Sequence, residues 1–142
     1  MKVHIGTFVV ALIIGTSISS GNAASLTREQ AKANYHNAAI NAAKTAGIVA
    51  SMAELCDGPE GAKRAAGIEK AGRNAISLFP DGDPDVLMQE SFYDFSYKWK
   101  ARFAGQSCDG EGILEQKKKA DTLFQVYTIK LMQATSELMS AK

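Results

Sequence analysis

Tyr93-Asp94-Phe95-Ser96-Tyr97-Lys98-Trp99-Lys100-Ala101-Arg102-Phe103 sets aromatic rings against polar or charged side chains at almost every step. Taken alone, the stretch has the two-residue period of a half-buried strand. Read from a little further upstream it also fits a helix. Met88, Phe92, Phe95, Trp99 and Phe103 recur at steps of three and four, and Asp94 stands four residues before Lys98, where opposite charges meet on a helix. The two periods lead to different fold classes, so the rest of the chain must decide. No other segment after the N-terminal region offers a strand to pair with, and a lone strand would leave its backbone N–H and C=O groups unmatched. The segment is therefore expected to be helical over 84–104, and the chain all-α.

The flanking sequence supports this. Thr27 with Gln30 three residues on has the form of a capping box. Beyond it Ala31, Tyr35, Ala38, Ala42, Thr45, Val49 and Met52 recur along one helical face, which predicts a first helix over 27–55. The joint Cys56-Asp57-Gly58-Pro59-Glu60-Gly61 ends it. Pro59 suits the start of a second helix, 59–78, which places Ala65, Ile68, Gly72, Ile76 and Phe79 on one side. Phe79-Pro80-Asp81-Gly82-Asp83-Pro84-Asp85 then forms a turn in which Asp83 can cap and Pro84 can take the first helical position. After the joint 105–112, a fourth helix over 112–140 carries Ala120, Phe124, Tyr127, Leu131, Ala134 and Leu138 on its buried face. Short joints between long helices predict an up-down-up-down four-helix bundle. In that order the first and third helices end at the same pole, where Cys56 and Cys108 follow them.

The N-terminal 23 residues are set apart from this pattern. Lys2 gives a positive start and Ile5 to Ile14 an apolar run. Polar residues follow from Ser17, and Gly21 and Ala23 are the small residues of a cleavage site after Ala23. The run is too short to span a bilayer, so residues 1–23 are expected to be a signal peptide and 24–142 a helical-bundle domain in the periplasm or secreted. The two cysteines, even in number and in an oxidising compartment, are then expected to form a Cys56–Cys108 disulfide.

Charge and composition exclude several classes of function. With 46% hydrophobic and 22% charged residues the chain has the make-up of a globular core, not of disorder. Sixteen Lys and Arg against fifteen Asp and Glu give +1, and removal of residues 1–23 leaves fifteen of each, so nucleic acid is not an expected partner. Two His and two Cys are too few for a zinc or iron–sulfur centre. Cys56-Asp57-Gly58 and Cys108-Asp109-Gly110 share a tripeptide that, with Glu60 and Glu111, offers oxygen donors, but Asp and Gly are also what a helix joint needs. Asp81-Gly82-Asp83-Pro84-Asp85 opens like a calcium loop and then fails it, with Val86 where Gly and Phe92 where Glu belong. Neither metal nor cofactor is expected.

Catalytic patterns are scarce. The cysteines are committed to one another, no Cys-x-x-Cys or Gly-x-Ser-x-Gly occurs, and His36 is the one imidazole beyond residue 23. Glu54 and Glu60 could serve as an acid–base pair, but nothing singles them out. What stands out instead is basic side chains interleaved with rings: Tyr97, Lys98, Lys100 and Arg102, with Lys117, Lys118 and Lys119 across the next joint. Cations at a helix N-terminus oppose its dipole, so that lysine run is oddly placed for stability alone. These residues form the candidate partner surface. The expected function is binding of another envelope or secreted protein, as an inhibitor, immunity factor, chaperone or assembly accessory, with contact to a membrane surface less favoured. A carrier of a small apolar ligand and an enzyme with a carboxylate-based site are the alternatives.

Overall fold

A computed structural model describes residues 25–142, and the expected signal peptide lies outside the described residues. Among them the chain is all-helical: α1 Arg28–Cys56, α2 Gly58–Leu78, α3, and α4 Glu111–Ser140. The α3 helix is assembled from Pro84–Met88, a π-helical turn Gln89–Tyr93, and Asp94–Phe103. The helix starts follow from their caps. Gln30 donates its backbone N–H to Thr27 Oγ1 at 3.2 Å while Thr27 N–H donates back to Gln30 Oε1 at 3.0 Å, closing the capping box. Asp83 accepts from Asp85 N–H at 2.9 Å ahead of Pro84. Only Asp57 separates α1 from α2, and Gly58 takes the left-handed conformation, φ +58°, that this sharp reversal requires.

The aromatic segment is a helix, as its surroundings require, yet its buried line is not the expected one. Met88, Phe92 and Phe103 are buried, whereas Phe95 and Trp99 are half-buried and Ser96 takes the inner position. The π-turn accounts for the change. A wide turn accommodates an extra residue, so the position that faces inward moves from Phe95 to Ser96. The anticipated Asp94–Lys98 pair does not form: Asp94 accepts from Gln89 Nε2, and Lys98 lies over the Phe95 ring.

One helix organises the whole. From Ala42 to Ala53 α1 is buried on nearly every side, far beyond the single stripe read from its sequence. α2, α3 and α4 all pack on it, while α4 makes only marginal contact with α2 and α3. Alanine is what permits this, since a helix with small side chains all round lets three neighbours come near. The main core joins Ala39, Ala43 and Ala46 of α1 to Ile76 of α2, Met88 and Phe92 of α3, and Leu138 of α4. A second cluster of Met52, Phe103 and Ile113, with Cys56 and Trp99 against it, seals the end where α1 and α3 finish and α4 begins. There Cys56 and Cys108 form a disulfide, Cα–Cα 5.5 Å. Thr45 and Ser51, buried in α1, donate their hydroxyls to the carbonyls of Ala42 and Ile48, and the described residues contain no buried side-chain polar atom without a partner.

Candidate functional site

The disulfide end is tied by ions as well as by sulfur. Asp57, at the α1–α2 joint, accepts from Arg64 of α2 and from Lys117 Nζ of α4 at 3.1 Å. It thus links three helices around one carboxylate. Lys100 of α3 is paired with Glu54 of α1. Lys119 bonds Glu115 one turn back at 2.7 Å, and this bond holds the Glu115 carboxyl below its ordinary range. The lysine run at the start of α4 therefore has its own local anions, which offset the unfavourable dipole. Lys118 has no ion pair among the described residues.

The candidate surface is divided by helix geometry. Lys98 and Arg102, four residues apart, stand about 40° apart around α3, whereas Tyr97 and Arg102 are about 140° apart. Lys100 falls on the Tyr97 side and turns to α1. Three groups result. Lys100 and Lys117 hold helices together, Tyr97 stands alone at 74% exposure, and Lys98 with Arg102 shares a face with Phe95 and Trp99.

That last face is the most organised. The Phe95 ring has Lys98 Nζ at 5.7 Å from its centroid and Lys44 Nζ of α1 also at 5.7 Å. The Arg102 guanidinium lies 5.5 Å from the Trp99 centroid and 5.6 Å from that of Phe103. Lys44, Lys98 and Arg102 have no ion pair among the described residues, so three cations sit on ring faces with their charge unneutralised. Lys44 is absent from the surface read off the sequence. It is one lysine in an alanine-rich helix, and only the packing of α1 on α3 brings it to Phe95.

Several polar groups elsewhere hold helices together. Tyr93, carried by the π-turn, donates its hydroxyl to Glu69 and accepts from Arg73, which also pairs with Asp85, so α2 and α3 are stitched by four side chains. Its hydroxyl is pushed above the usual tyrosine range, first by the bond to Glu69. His36 lies in a cleft of about 240 Å³ between α1 and α3 with Lys44, Leu87, Glu90 and Ser91. Among the described residues neither a carboxylate nor a hydroxyl is hydrogen-bonded to it, so none of them orients the imidazole for acid–base work. Of the acidic residues at the two Cys-Asp-Gly joints, Asp57 is occupied by cations, and no group of three or more His, Cys, Asp or Glu able to hold a metal occurs among the described residues. Nor is any described helix long and apolar enough to cross a membrane. Comparison of the chain with protein-family models, curated proteins and solved structures finds no match.

Proposed function

We propose that the chain is exported after cleavage near Ala23 and acts by binding an acidic protein in the envelope or outside the cell, as an inhibitor, immunity factor, chaperone or assembly accessory. The observation that carries this reading is the set of Lys44, Lys98 and Arg102 on the rings of Phe95, Trp99 and Phe103, none of them ion-paired among the described residues. Like charges four residues apart on a helix are mildly unfavourable, so the arrangement stabilises little by itself. It suits a partner carboxylate, which a guanidinium backed by a ring can meet with its donors already oriented. Tyr97 and Lys118 border the same end of the molecule. The disulfide supports the oxidising destination. An up-down-up-down order belongs to the proposal, supported by bonds that place the start of α1 beside the end of α4 (Asn34 to Glu137) and its end beside the end of α3 (Glu54 to Lys100).

The test is affinity capture from the periplasmic extract of an exporting host, with the wild type beside a Lys44→Glu, Lys98→Glu, Arg102→Glu variant. An acidic protein retained by the wild type in a salt-sensitive manner and lost by at least about tenfold in the variant supports the reading. Equal capture by a variant with native helicity overturns it.

A further inference from the structure

Where α4 lies along α1, a cleft of about 360 Å³ opens between them, within the roughly 300–1,000 Å³ of small-molecule sites. Two rows of polar side chains wall it: Asn34, Asn37 and Asn41 from α1, and Lys130, Gln133 and Glu137 from α4. Each row repeats at steps of three and four, so it spans only about 60° around its helix. Asn34 Nδ2 donates to Glu137 Oε2 at 3.3 Å and sets the register. Counted away from that bond along both helices, Asn37 stands by Gln133 and Asn41 by Lys130. Between the rows lie Ala38 and the buried Ala134, and Tyr127 adds a half-buried ring at the Lys130 end.

Three of the four asparagines beyond residue 24 stand in this one cleft. Asparagine is a poor helix former because its amide competes for the backbone, and the rest of α1 is rich in alanine. Internal bonding does not explain them. Among the described residues the side-chain amides of Asn37, Asn41 and Gln133 bond to no other group of the chain, and only Asn34 is tied down. A free amide offers a donor and an acceptor in one plane. Two neighbouring hydroxyls, each donor and acceptor at once, match it with a pair of bonds.

We propose that the cleft binds a neutral oligosaccharide, laid between the two rows as a straight, β-linked chain with one sugar ring to each facing pair. The spacing favours a sugar over an extended peptide. Successive pairs are about 4.5 and 6 Å apart along the helices, a mean of about 5 Å, which is the advance of one β-linked pyranose ring. Amides that pair with an extended peptide instead meet it at every second residue, about 6.6 Å apart. Tyr127 offers the flat, electron-rich face on which the C–H side of a sugar ring rests, and Lys130 Nζ, 5.2 Å from the centre of that ring, supplies a donor beside it. Glu137 supplies an acceptor two turns away. The small side chains of Ala38 and Ala134 leave room for a ring between the rows. The site uses none of Lys44, Lys98 and Arg102, and it does not rest on the proposed protein partner.

Titration of nitrogen-15-labelled protein, followed by NMR, reads the amides directly. The side-chain N–H signals of Asn37, Asn41 and Gln133 should move saturably with cellotriose or with triacetylchitotriose, half-saturating below about 1 mM. A response to the acetylated sugar alone assigns the cleft to amino-sugar chains, and a response to cellotriose alone assigns it to plain glucans; either supports the proposal. Asn37→Ala combined with Asn41→Ala should weaken binding by at least about tenfold. The same variant should melt no lower than the wild type, because alanine is the better helix former. Lys98→Glu should bind the sugar as the wild type does. Should the double variant fail to fold, Gln133→Ala, at an exposed position, carries the test with the same expected loss. No saturable shift up to about 10 mM of either sugar overturns the proposal, as does binding that survives all three substitutions. Equal shifts with maltotriose, whose α-linkage bends the chain, overturn the straight-chain fit. Saturation by tetra-alanine in place of the sugars assigns the rows to peptide backbone and overturns it as well.

Discussion

The carbonyl of Phe92 is pressed onto Gly47, so close that a Cβ on residue 47 would overlap its oxygen. That oxygen belongs to the π-turn of α3, where the helix widens. Glycine in α1 and the wide turn in α3 are thus two halves of one contact. Gly47→Ala should lower stability by about 2–3 kcal/mol, the cost of overpacking against backbone that cannot yield, which exceeds the ~1 kcal/mol that alanine gains in helix propensity. Thermal melting should show a fall of about 8–12 °C. Gly67→Ala, where a Cβ meets nothing within 4 Å, should instead raise the melting temperature by a few degrees. Equal effects at both positions would remove the close approach from the explanation of the fold.

The disulfide spans 52 positions of sequence. In the chain-entropy picture, closing such a loop restricts the unfolded chain by roughly 4 kcal/mol, a large part of the stability of a small domain. Cys56→Ser and Cys108→Ser should each lower the melting temperature by about 15 °C, and the double variant should lose no more than either single one. The bonds from Asp57 to Lys117 and from Glu54 to Lys100 remain, so the helical spectrum at room temperature should persist.

Helix starts and stops were legible because they rest on local chemistry. Thr27 with Gln30, and Asp83 with Pro84, act within one turn of themselves, and the structure holds both. The aromatic segment was legible as a helix from the lack of a strand to pair with. Its inner face was not, since a π-turn has no signature in the spacing of Met88, Phe92 and Phe95. α1 looked one-sided because alanine gives a weak periodic signal; that three helices pack on it is a tertiary fact. The candidate surface was half legible for a related reason. Sequence places Lys98 and Arg102 on one face, but it cannot see that Lys44 approaches Phe95 from another helix or that Lys100 and Lys117 are held by Glu54 and Asp57.

Alkaline pH should destabilise the fold in a way that two tyrosines report. Tyr35 is buried and donates its hydroxyl to the Ala75 carbonyl at 3.0 Å, and burial pushes its pKa up. Tyr93 is pushed up as well, first by its bond to Glu69, against the opposing bond from Arg73. Both protons are therefore kept to higher pH in the folded chain than in the unfolded one. Their contribution is complete below a tyrosine's usual pKa of about 10 and is lost as pH rises above it, because the unfolded state then holds fewer protons. Urea midpoints should decline above about pH 10, and less steeply in Tyr35→Phe, although that variant starts about 1 kcal/mol lower at neutral pH for want of its hydrogen bond. A wild-type midpoint that stays level to about pH 11.5 would contradict the assignment.

The basic residues around the disulfide end should divide by measurement as they divide by geometry. Lys117 lies 3.1 Å from an Asp57 oxygen, and the two side chains are only about one third and one fifth exposed. Lys117→Glu would bring a second carboxylate to a joint where Arg64 alone remains to balance it. Lys100→Glu would do the same beside Glu54. Each reversal should remove about 1–2 kcal/mol and about 4–8 °C of melting temperature, more than the loss of an exposed pair because repulsion replaces attraction. Lys98→Glu and Arg102→Glu remove cations that are paired with rings and not with acids among the described residues, so their cost should stay within about 0.5–1 kcal/mol. Sodium chloride separates the two pairs further. Screening should shrink the penalty at Lys117 and Lys100, while the small effects at Lys98 and Arg102 should hardly change. If Lys98→Glu and Arg102→Glu proved as destabilising as the other two, these cations would be part of the scaffold, and the surface left for a partner would reduce to Tyr97 and Lys118.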